Sequence, residues 1–245
     1  MEVTKVCGNK IWQKSPGNLA IFVKRLAKFR FSRRLFVTLR TISETDKSEF
    51  MEHHNILNIT NRVDFRAWLE AHHDSESECW IRVKRGCPVD DRQFWYLDAV
   101  EEALCFGWID STVRPIDGVP MQRFSPRRRN SPWTELNKER VRRLERLGLM
   151  TDAGRKVLPP MGARSFKIDK DIEAALKSAR VWSTFKSFPP LYQRIRAYNL
   201  MFHKNWGKGI YERGLAHLIA ETKARRMFGQ WNDYGRLTDC LKMTG

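Results

Sequence analysis

Paired cysteines are missing from this sequence of 245 residues. It has five cysteines, an odd number, and no two of them form a Cys-X-X-Cys pair. Small secreted domains depend on an even set of cysteines, whereas intracellular proteins keep isolated thiols reduced. The cysteine pattern therefore argues against a disulfide framework. It predicts a reducing compartment, which we take to be the cytoplasm.

Long apolar runs are also missing. A membrane-spanning helix needs about 18 consecutive apolar residues, and no stretch of the chain approaches this length. Apolar residues still make up 42% of the sequence, with nine tryptophans and fourteen phenylalanines available for a core. The sequence therefore predicts a globular protein without a transmembrane segment, soluble or at most peripherally bound to a membrane.

Acidic residues are absent from residues 3–43, where Lys and Arg together occur ten times. Within this stretch, residues 20–39 mix apolar and basic side chains roughly as an amphipathic helix does. The pattern is typical of an organelle transit segment or of a helix that lies on an anionic membrane. It also fits an extension that has no partner in the fold. We favour this third interpretation, because a strand-and-helix pattern follows directly after Met51.

The net charge of the whole chain is +17. Residues 1–50 contribute +7, from eleven basic and four acidic residues, and the remainder of the chain contributes +10. An excess of this size attracts polyanions such as nucleic acid, anionic lipid or phosphorylated ligands. Because most of the excess lies after Met51, the folded part of the protein is itself expected to be basic.

The hydrophobic pattern after Met51 is mixed. Residues 56–60 and 79–84 have the composition and length of strands, and the second stretch alternates as a half-buried strand does. Residues 63–72 carry apolar side chains at i, i+3 and i+4, with Asn61 placed to cap the helix that they form. Strand, helix and strand in this order predict a small sheet packed with helices.

We therefore predict an α+β fold with the following organisation. Residues 1–50 form a basic N-terminal extension outside the fold, and residues 51–162 form the α+β domain. Helical periodicity between Pro and Gly breaks predicts a helical C-terminal unit over residues 163–230. Residues 231–245 are expected to be a loosely held tail.

Residues 98–110 read DAVEEALCFGWID and predict a helix followed by an abrupt break. Apolar side chains recur at i, i+3 and i+7, and Glu101 and Glu102 lie off this stripe, so we expect both to be exposed to solvent. Gly107 is expected to end the helix with a positive φ. Cys105 lies near the apolar side with no basic neighbour, which predicts a buried, inert thiol rather than a nucleophile.

The next segment predicts a hairpin and then a basic helix. Asp117-Gly118 stands between two strand-like stretches and is a strong signal for a tight β-hairpin. Ser131 followed by Pro132 is a favourable helix start, with the serine as N-cap and the proline at the first helical position. The predicted helix covers residues 133–147 and carries Lys and Arg side chains on its outer surface.

These motifs, taken in order, resemble a known family. DAVEEALCFGWIDS is similar to the EAVEEALCFGWIDG helix and break of the YdeI/OmpD-associated (bacteriocin-protection) proteins of bacteria. The segments QRFSPRR and SPWTELNKERVRRL are similar to that family's QRFTPRK and SxWSxxNxERVxxL patterns, although Ser111 stands where the family usually has glycine. The resemblance covers residues 56–154. The matching positions in the second and third motifs are Gln122, Arg123, Phe124, Pro126, Arg127, Ser131, Trp133, Asn137, Arg140, Val141 and Leu144.

What the resemblance implies about function is physiological rather than chemical. It implies a stress-resistance role against bacteriocins or cationic antimicrobial peptides, together with a link to an outer-membrane porin as a protein partner. It implies no molecular activity. The chemistry has to be inferred from the residues themselves.

Clustered Trp, Arg and Asn residues predict a ligand pocket. A helix N-terminus beginning at Ser131 would present free N–H groups to an anion, and the arginines upstream could grip a carboxylate or phosphate. Two tryptophans would supply a stacking wall, and Asp110 a polar orienter or base. The predicted ligand-binding residues are Trp108, Asp110, Arg123, Arg127, Ser131, Trp133 and Asn137. The predicted partner is a small anionic ligand or another protein. Alternatively, Asp110 pairs with Arg123 across the hairpin while the tryptophans fill the core, and Trp108 is the better core candidate.

Two further hypotheses stay open. A nucleic-acid-binding protein would use the basic 127–146 surface, chiefly Arg127, Arg128, Arg129 and Arg143, although no zinc finger, RNA-recognition motif or helix-turn-helix accompanies them. An uncharacterised enzyme would have its site around Asp110, but no catalytic set can be proposed from the spacing. The doublets His53-His54 and His72-His73 lack the i, i+4 spacing of a metal site. The sequence therefore predicts no metal and no cofactor.

Overall fold

The computed structural model describes residues 55–90, 92–162, 166–204, 207 and 209–238. All of them belong to one compact unit. The predicted N-terminal extension at residues 1–50 and the His53-His54 doublet lie outside the described residues. Residues 239–245 of the predicted tail lie outside them as well.

Four strands form one mixed sheet in the order β1-β2-β4-β3. Strands β1 and β2 are parallel, and the β2–β4 and β4–β3 pairs are antiparallel. A parallel pair needs a crossover connection, and the helix between β1 and β2 provides it. The strands are β1 Ile56–Leu57, β2 Cys79–Ile81, β3 Trp108–Ile116 and β4 Val119–Pro126.

Eight α-helices accompany this sheet in the described part of the chain, four of them after residue 165. The first four are α1 Arg62–His72, α2 Tyr96–Cys105, α3 Glu135–Arg146 and α4 Asp152–Lys156. The second four are α5 Lys170–Ser178, α6 Trp182–Ser187, α7 Pro190–His203 and α8 Ile210–Lys223. A sheet packed with helices and followed by further helices confirms the predicted α+β class.

Three features that the sequence predicts from neighbouring residues are present in the structure. The Asn61 side chain caps α1 by accepting a hydrogen bond from the backbone N–H of Asp64. Gly107 ends the α2 segment with φ of 75°. Asp117 and Gly118 have φ of 49° and 77°, which is the pair of positive values that a two-residue hairpin turn requires. Each of these features is decided within a few residues of chain.

The predicted start of the basic helix is wrong. Helix α3 begins at Glu135, and its N-cap is Thr134, whose side chain accepts a hydrogen bond from the N–H of Asn137 at 3.0 Å. The Ser131 hydroxyl instead accepts a hydrogen bond from Arg127. The helix does not start at Ser131-Pro132, because the Ser131 hydroxyl accepts a hydrogen bond from the buried Arg127 side chain. Thr134 caps the helix instead.

The expected exposure of Glu101 and Glu102 is also wrong. Glu101 is fully buried and Glu102 is 2% exposed. The Glu101 carboxylate accepts hydrogen bonds from Arg143 at 2.8 Å and from Arg236 at 3.1 Å, and Glu102 accepts one from Arg66 at 2.8 Å. Arg62 contacts both glutamates. Buried carboxylates persist only when paired in this way, and the arginines come from other elements that helical periodicity on α2 does not reveal.

Two hydrophobic clusters form the core. The first lies between the sheet and helices α1 to α3, and the second is built by helices α5 to α8. Helix α3 contributes to both, since Leu144 is buried in the first cluster and Leu136 packs against the second. This helix therefore joins the sheet to the helical part of the protein.

The expected loose tail is wrong for the residues that the structure describes. Trp231, Asp233 and Leu237 are 9%, 3% and 2% exposed, respectively. Asp233 lies in a 3₁₀ turn at Asp233–Gly235 and forms an ion pair with Arg140 of α3. Contacts with a distant helix, rather than local regularity, hold this segment in place.

No helix of the described residues is long and apolar enough to cross a membrane.

Candidate ligand-binding site

The end of β4, the loop that follows it and the start of α3 gather most of the predicted site residues. The backbone N–H of Arg127 donates to the carbonyl of Gly107 at 2.9 Å, which fixes the chain where β4 ends. The segment then continues through Ser131 and Trp133 into α3. Because β3 begins directly after Gly107 and pairs with β4, Asp110 is brought to the same end of the sheet.

Arg127 is the centre of this arrangement. The residue is only 7% exposed, and its guanidinium carbon lies 3.8 Å from the centre of the Trp133 ring. One terminal nitrogen, Nη1, donates to the Ser131 hydroxyl at 3.1 Å and to the Pro132 carbonyl at 3.0 Å. The Nε atom is buried without a hydrogen-bond partner. A buried donor of this kind is costly unless something satisfies it.

No carboxylate among the described residues forms an ion pair with Arg127, and the electrostatics reflect this. Burial lowers the pKa of the Arg127 guanidinium, because desolvation disfavours the charged form. The Asp110 carboxylate acts in the opposite direction but does not outweigh it. The site therefore holds a buried cation that is incompletely compensated.

Asp110 has a different partner from the one considered from the sequence. Its Oδ2 atom accepts a hydrogen bond from the Tyr96 hydroxyl at 2.5 Å. Burial, followed by the charge of Asp110, raises the pKa of the Tyr96 phenol, so this hydroxyl stays protonated and keeps donating. Arg85 lies over the Tyr96 ring, with its guanidinium carbon 4.2 Å from the ring centre. The alternative in which Asp110 pairs with Arg123 is therefore wrong.

Arg123 lies on the other face of the sheet. It stands opposite Trp80 in the β2–β4 register, whereas its neighbour Phe124 stands opposite Asp110 in the β3–β4 register. Consecutive strand residues point to opposite faces. Arg123 accordingly donates to Glu78 at 2.5 Å and does not join the group around Arg127.

Trp108 is a core residue. It is 1% exposed, and its indole N–H donates to the backbone carbonyl of His73 at 3.0 Å. Its ring meets Trp68 edge to face, with centroids 5.7 Å apart. This agrees with the alternative that assigned Trp108 to the core, so the tryptophan available to the candidate site is Trp133.

Asn137 is committed to a structural network. Its side-chain oxygen accepts a hydrogen bond from Arg140 Nη1 at 2.8 Å, and the same arginine grips Asp233 through two further bonds of 2.7 and 2.8 Å. Asn137 is 8% exposed. Its side-chain oxygen is therefore used in holding Arg140.

The backbone N–H groups predicted to bind an anion lie elsewhere. Helix α3 starts at Glu135, one turn later than expected, and the Thr134 cap and the acidic Glu135 already occupy its N-terminus. Arg127, rather than the helix end, is therefore the positive group of the site that lacks a counter-charge. Tyr96 is an additional member that the sequence did not indicate. Its proximity to Asp110 depends on the chain reversal at Gly107, and no local pattern shows which residues that reversal brings together.

The four arginines proposed for nucleic-acid binding differ in whether their charge is exposed to solvent. Arg128 and Arg129 are exposed, but Arg127 is buried and Arg143 pairs with Glu101 at 2.8 Å. The cations of α3 are mostly neutralised as well: Lys138 pairs with Glu135, Arg140 with Asp233 and Arg142 with Glu139. Of the basic side chains expected on the outer surface of this helix, only Arg146 is exposed.

Cys105 and the His72-His73 doublet are both held in structural positions. Cys105 is fully buried, and burial raises its pKa to about 12, in line with the predicted inert thiol. The Nδ1 atoms of His72 and His73 hydrogen-bond to the carbonyls of Trp68 and Leu69 in their own helix. Within the part of the chain that the structure describes, no group of three or more His, Cys, Asp or Glu side chains could hold a metal ion.

Fold and site together define an α+β domain that carries a buried, incompletely paired arginine at one end of its sheet. Residues 57–157 match the family model described as Domain of unknown function (DUF8412). The match includes nearly the whole sheet, helices α1 to α3 and all seven predicted ligand-binding residues, whereas helices α5 to α8 lie beyond it. No curated protein and no solved structure matches the chain.

Proposed function

We propose that this protein binds a small anionic ligand at Arg127. The observation that carries the proposal is the state of that side chain: it is 7% exposed, has no ion-pair partner among the described residues and leaves Nε without a hydrogen bond. A carboxylate or phosphate group would supply both the missing negative charge and the missing acceptor.

The energetics favour a binding role over a structural one. Burying a cation without a counter-ion costs several kcal/mol in proteins, and stacking on Trp133 together with two neutral hydrogen bonds offsets only part of this cost. A ligand anion would recover the remainder on binding. Such recovery is a direct source of affinity, because the guanidinium has already lost its hydration in the free protein.

The surroundings of Arg127 give the ligand an orientation. The Asp110 carboxylate, half-buried and held by Tyr96, would repel a second anionic group but would accept a hydrogen bond from a donor on the ligand. The ring of Trp133 closes the far side of the guanidinium. The site therefore suits a small molecule with an anionic group at one end and a hydrogen-bond donor at the other.

The physiological part of the proposal rests on the resemblance to YdeI/OmpD-associated proteins. We propose a cytoplasmic stress-resistance protein that acts against bacteriocins or cationic antimicrobial peptides through its bound ligand or a protein partner. The Arg123, Arg127, Ser131 and Trp133 positions of the resemblance include three that meet at the proposed site. This overlap supports treating the site as functional.

The test compares Arg127→Gln with Arg128→Gln, two neighbours that change the net charge equally but differ in burial. Thermal unfolding is followed while inorganic phosphate or succinate is titrated at constant ionic strength. In the wild type and in Arg128→Gln we expect the melting temperature to rise with saturation, by the equivalent of about 2.7 kcal/mol at a hundredfold excess over Kd. In Arg127→Gln we expect no rise.

A matched titration with sodium chloride separates binding from general screening of the positive charge. Equal stabilisation of all three proteins by phosphate would reject Arg127 as the site. Loss of folded structure in Arg127→Gln, seen by circular dichroism without any anion, would assign the residue a structural role instead.

A further inference from the structure

A cleft lies at the end of β4 opposite to the proposed anion site. It has a volume of about 970 Å³ and opens beside the first residues of this strand, Val119 to Met121. Arg127 follows the last residue of the strand, and eight residue steps of extended chain span roughly 25 Å. The cleft is therefore separate from the proposed anion site and independent of it.

The position of the cleft is one that α/β sheets use for ligands. Strands β1 and β2 are parallel neighbours joined by α1, and the residues that follow each strand line the cleft: Ile59 after β1 and Arg82 and Val83 after β2. Ligands of open α/β sheets bind outside the carboxyl ends of parallel strands. The volume also falls in the range of small-molecule sites, roughly 300–1,000 Å³.

The walls of the cleft are mainly aliphatic. Ile56, Ile59, Val83, Val119 and Met121 line it, and the Ile56 side chain is left 49% exposed on the edge strand. The one aromatic residue among the described lining residues is Phe94, which is 5% exposed and packs edge to face with Phe65 instead. Aliphatic walls without an open aromatic face suit a flexible alkyl chain better than a planar ring.

The charges at the rim are predominantly positive. Among the described lining residues, three side chains are cationic and one is anionic: Arg82, Lys84 and Arg92 are the cations, and Asp117 is the anion. Arg92 is engaged by Asp90, and Lys84 lies over the Trp95 ring. The Arg82 side chain is exposed and forms no hydrogen bond or ion pair within the described ranges, so it is the cation available to a ligand.

A polyphosphate ligand fits less well. Two helices begin directly after lining residues, α1 after Thr60 and α2 after Phe94, and each carries a carboxylate in its first turn. In α1 this is Asp64, hydrogen-bonded to the Asn61 amide at 2.7 Å, and in α2 it is Asp98. A carboxylate at this position opposes a second anion at the positive end of the helix. One anionic group near Arg82 and an apolar body against the aliphatic walls fit the cleft better.

We propose that this cleft binds an alkyl-chain carboxylate, a monomeric ligand of the fatty-acid class, with its chain along Ile56, Ile59 and Val119 and its head group at Arg82. The head group meets the free guanidinium, and the chain covers the aliphatic surface that the short β1 strand leaves open. This activity is separate from anion binding at Arg127.

The test is isothermal titration with decanoate below its micelle concentration, using the full chain. Acetate supplies the head group alone, and decanol supplies the chain alone. We expect saturable binding of decanoate, at least tenfold weaker binding of decanol and no detectable binding of acetate. Absence of saturable decanoate binding would overturn the proposal.

Two variants with matched controls locate the binding. Ile56→Trp fills the cleft from an edge strand and is expected to abolish binding, whereas Val113→Trp, an equally exposed position on the other edge strand, is expected to leave it unchanged. Arg82→Gln is expected to weaken binding roughly tenfold, and Arg146→Gln, an exposed arginine on α3, is not. Wild-type affinity in both cleft variants would overturn the proposal, and Arg82→Gln still decides the matter if Ile56→Trp fails to fold.

Arg127→Gln keeps this experiment distinct from the test of the anion site. The variant is expected to bind decanoate with wild-type affinity while losing its response to phosphate. Loss of both responses in a variant whose circular dichroism shows it to be folded would mean that decanoate binds at Arg127 and would overturn the second site alone.

Discussion

Arg127, before the start of α3, and Arg140, in the middle of this helix, are both buried, and they differ in what lies opposite the guanidinium. Arg140 faces the Asp233 carboxylate through two hydrogen bonds of 2.7 and 2.8 Å. Arg127 faces the ring of Trp133 and neutral oxygens. The two residues are 8% and 7% exposed, so burial alone does not distinguish them.

The consequences for ionisation are opposite. Burial disfavours the charged form of both side chains, but the hydrogen bonds and charge of Asp233 outweigh burial at Arg140 and raise its pKa. At Arg127 nothing outweighs burial, and its pKa is lowered. The compensated arginine is a structural cross-link, whereas the uncompensated one is where we propose that a ligand anion binds. Burial becomes informative about function only when the partner is considered with it.

The largest expected effect comes from removing the compensation at Arg140. Asp233→Asn keeps the shape of the side chain and tolerates the positive φ of 49° at this position, but leaves Arg140 buried without a counter-ion. We expect the free energy of unfolding to fall by about 3–5 kcal/mol, measured by urea denaturation. Asp152→Asn is the control, because the Asp152 carboxylate is paired to Arg155 but 89% exposed. A similarly small loss in both variants would show that the Arg140 pair contributes little and would break the contrast with Arg127.

A smaller effect is expected at the helix start that lies between the two arginines. Thr134→Ala removes the side-chain cap of α3 and should lower the free energy of unfolding by about 1 kcal/mol. Ser131→Ala removes only an acceptor of Arg127, so we expect a smaller loss. Urea denaturation of the two variants in parallel measures both. If Ser131→Ala lowers the free energy of unfolding more than Thr134→Ala does, Ser131 rather than Thr134 caps the helix, as the sequence suggested. The assignment of Ser131 to the anion site would then be weakened.

The smallest effect is expected at Arg127 itself. Arg127→Met removes the desolvated charge but also its hydrogen bonds and its stacking on Trp133, and these changes oppose each other. We expect the free energy of unfolding of the ligand-free protein to change by no more than about 1 kcal/mol. Arg140→Met, which leaves the Asp233 carboxylate buried and unpaired, should cost several times more. Equal losses in the two variants would mean that Arg127 is as structural as Arg140.

The candidate site was predicted only in part from the sequence. Asp110, Arg127, Ser131 and Trp133 lie at the same end of the sheet, because β3, β4 and the loop before α3 follow one another along the chain. Arg123 was included wrongly, since a bulge between Asp110 and Val113 sets which residues of β3 and β4 share a face. Tyr96 was missed because fourteen residues and a chain reversal separate it from Asp110.

The sequence by itself determined the features whose free energy is decided within a few residues. The Asn61 cap, the break at Gly107, the hairpin at Asp117-Gly118 and the helical character of residues 170–223 all follow from local propensity and spacing. The α+β class follows from their order. These signals are strong because capping hydrogen bonds and positive φ values depend on adjacent residues only.

Only the tertiary structure decided which buried charges are paired. Glu101 meets Arg236 from 135 positions away, and Arg140 meets Asp233 from 93 positions away. No periodicity on α2 or α3 contains that information, because the partner of a buried charge depends on which elements the whole fold packs around it. For the same reason, the sequence could present Arg127 and Arg140 only as two arginines of one basic segment. The packing made one a cross-link and left the other as the proposed site.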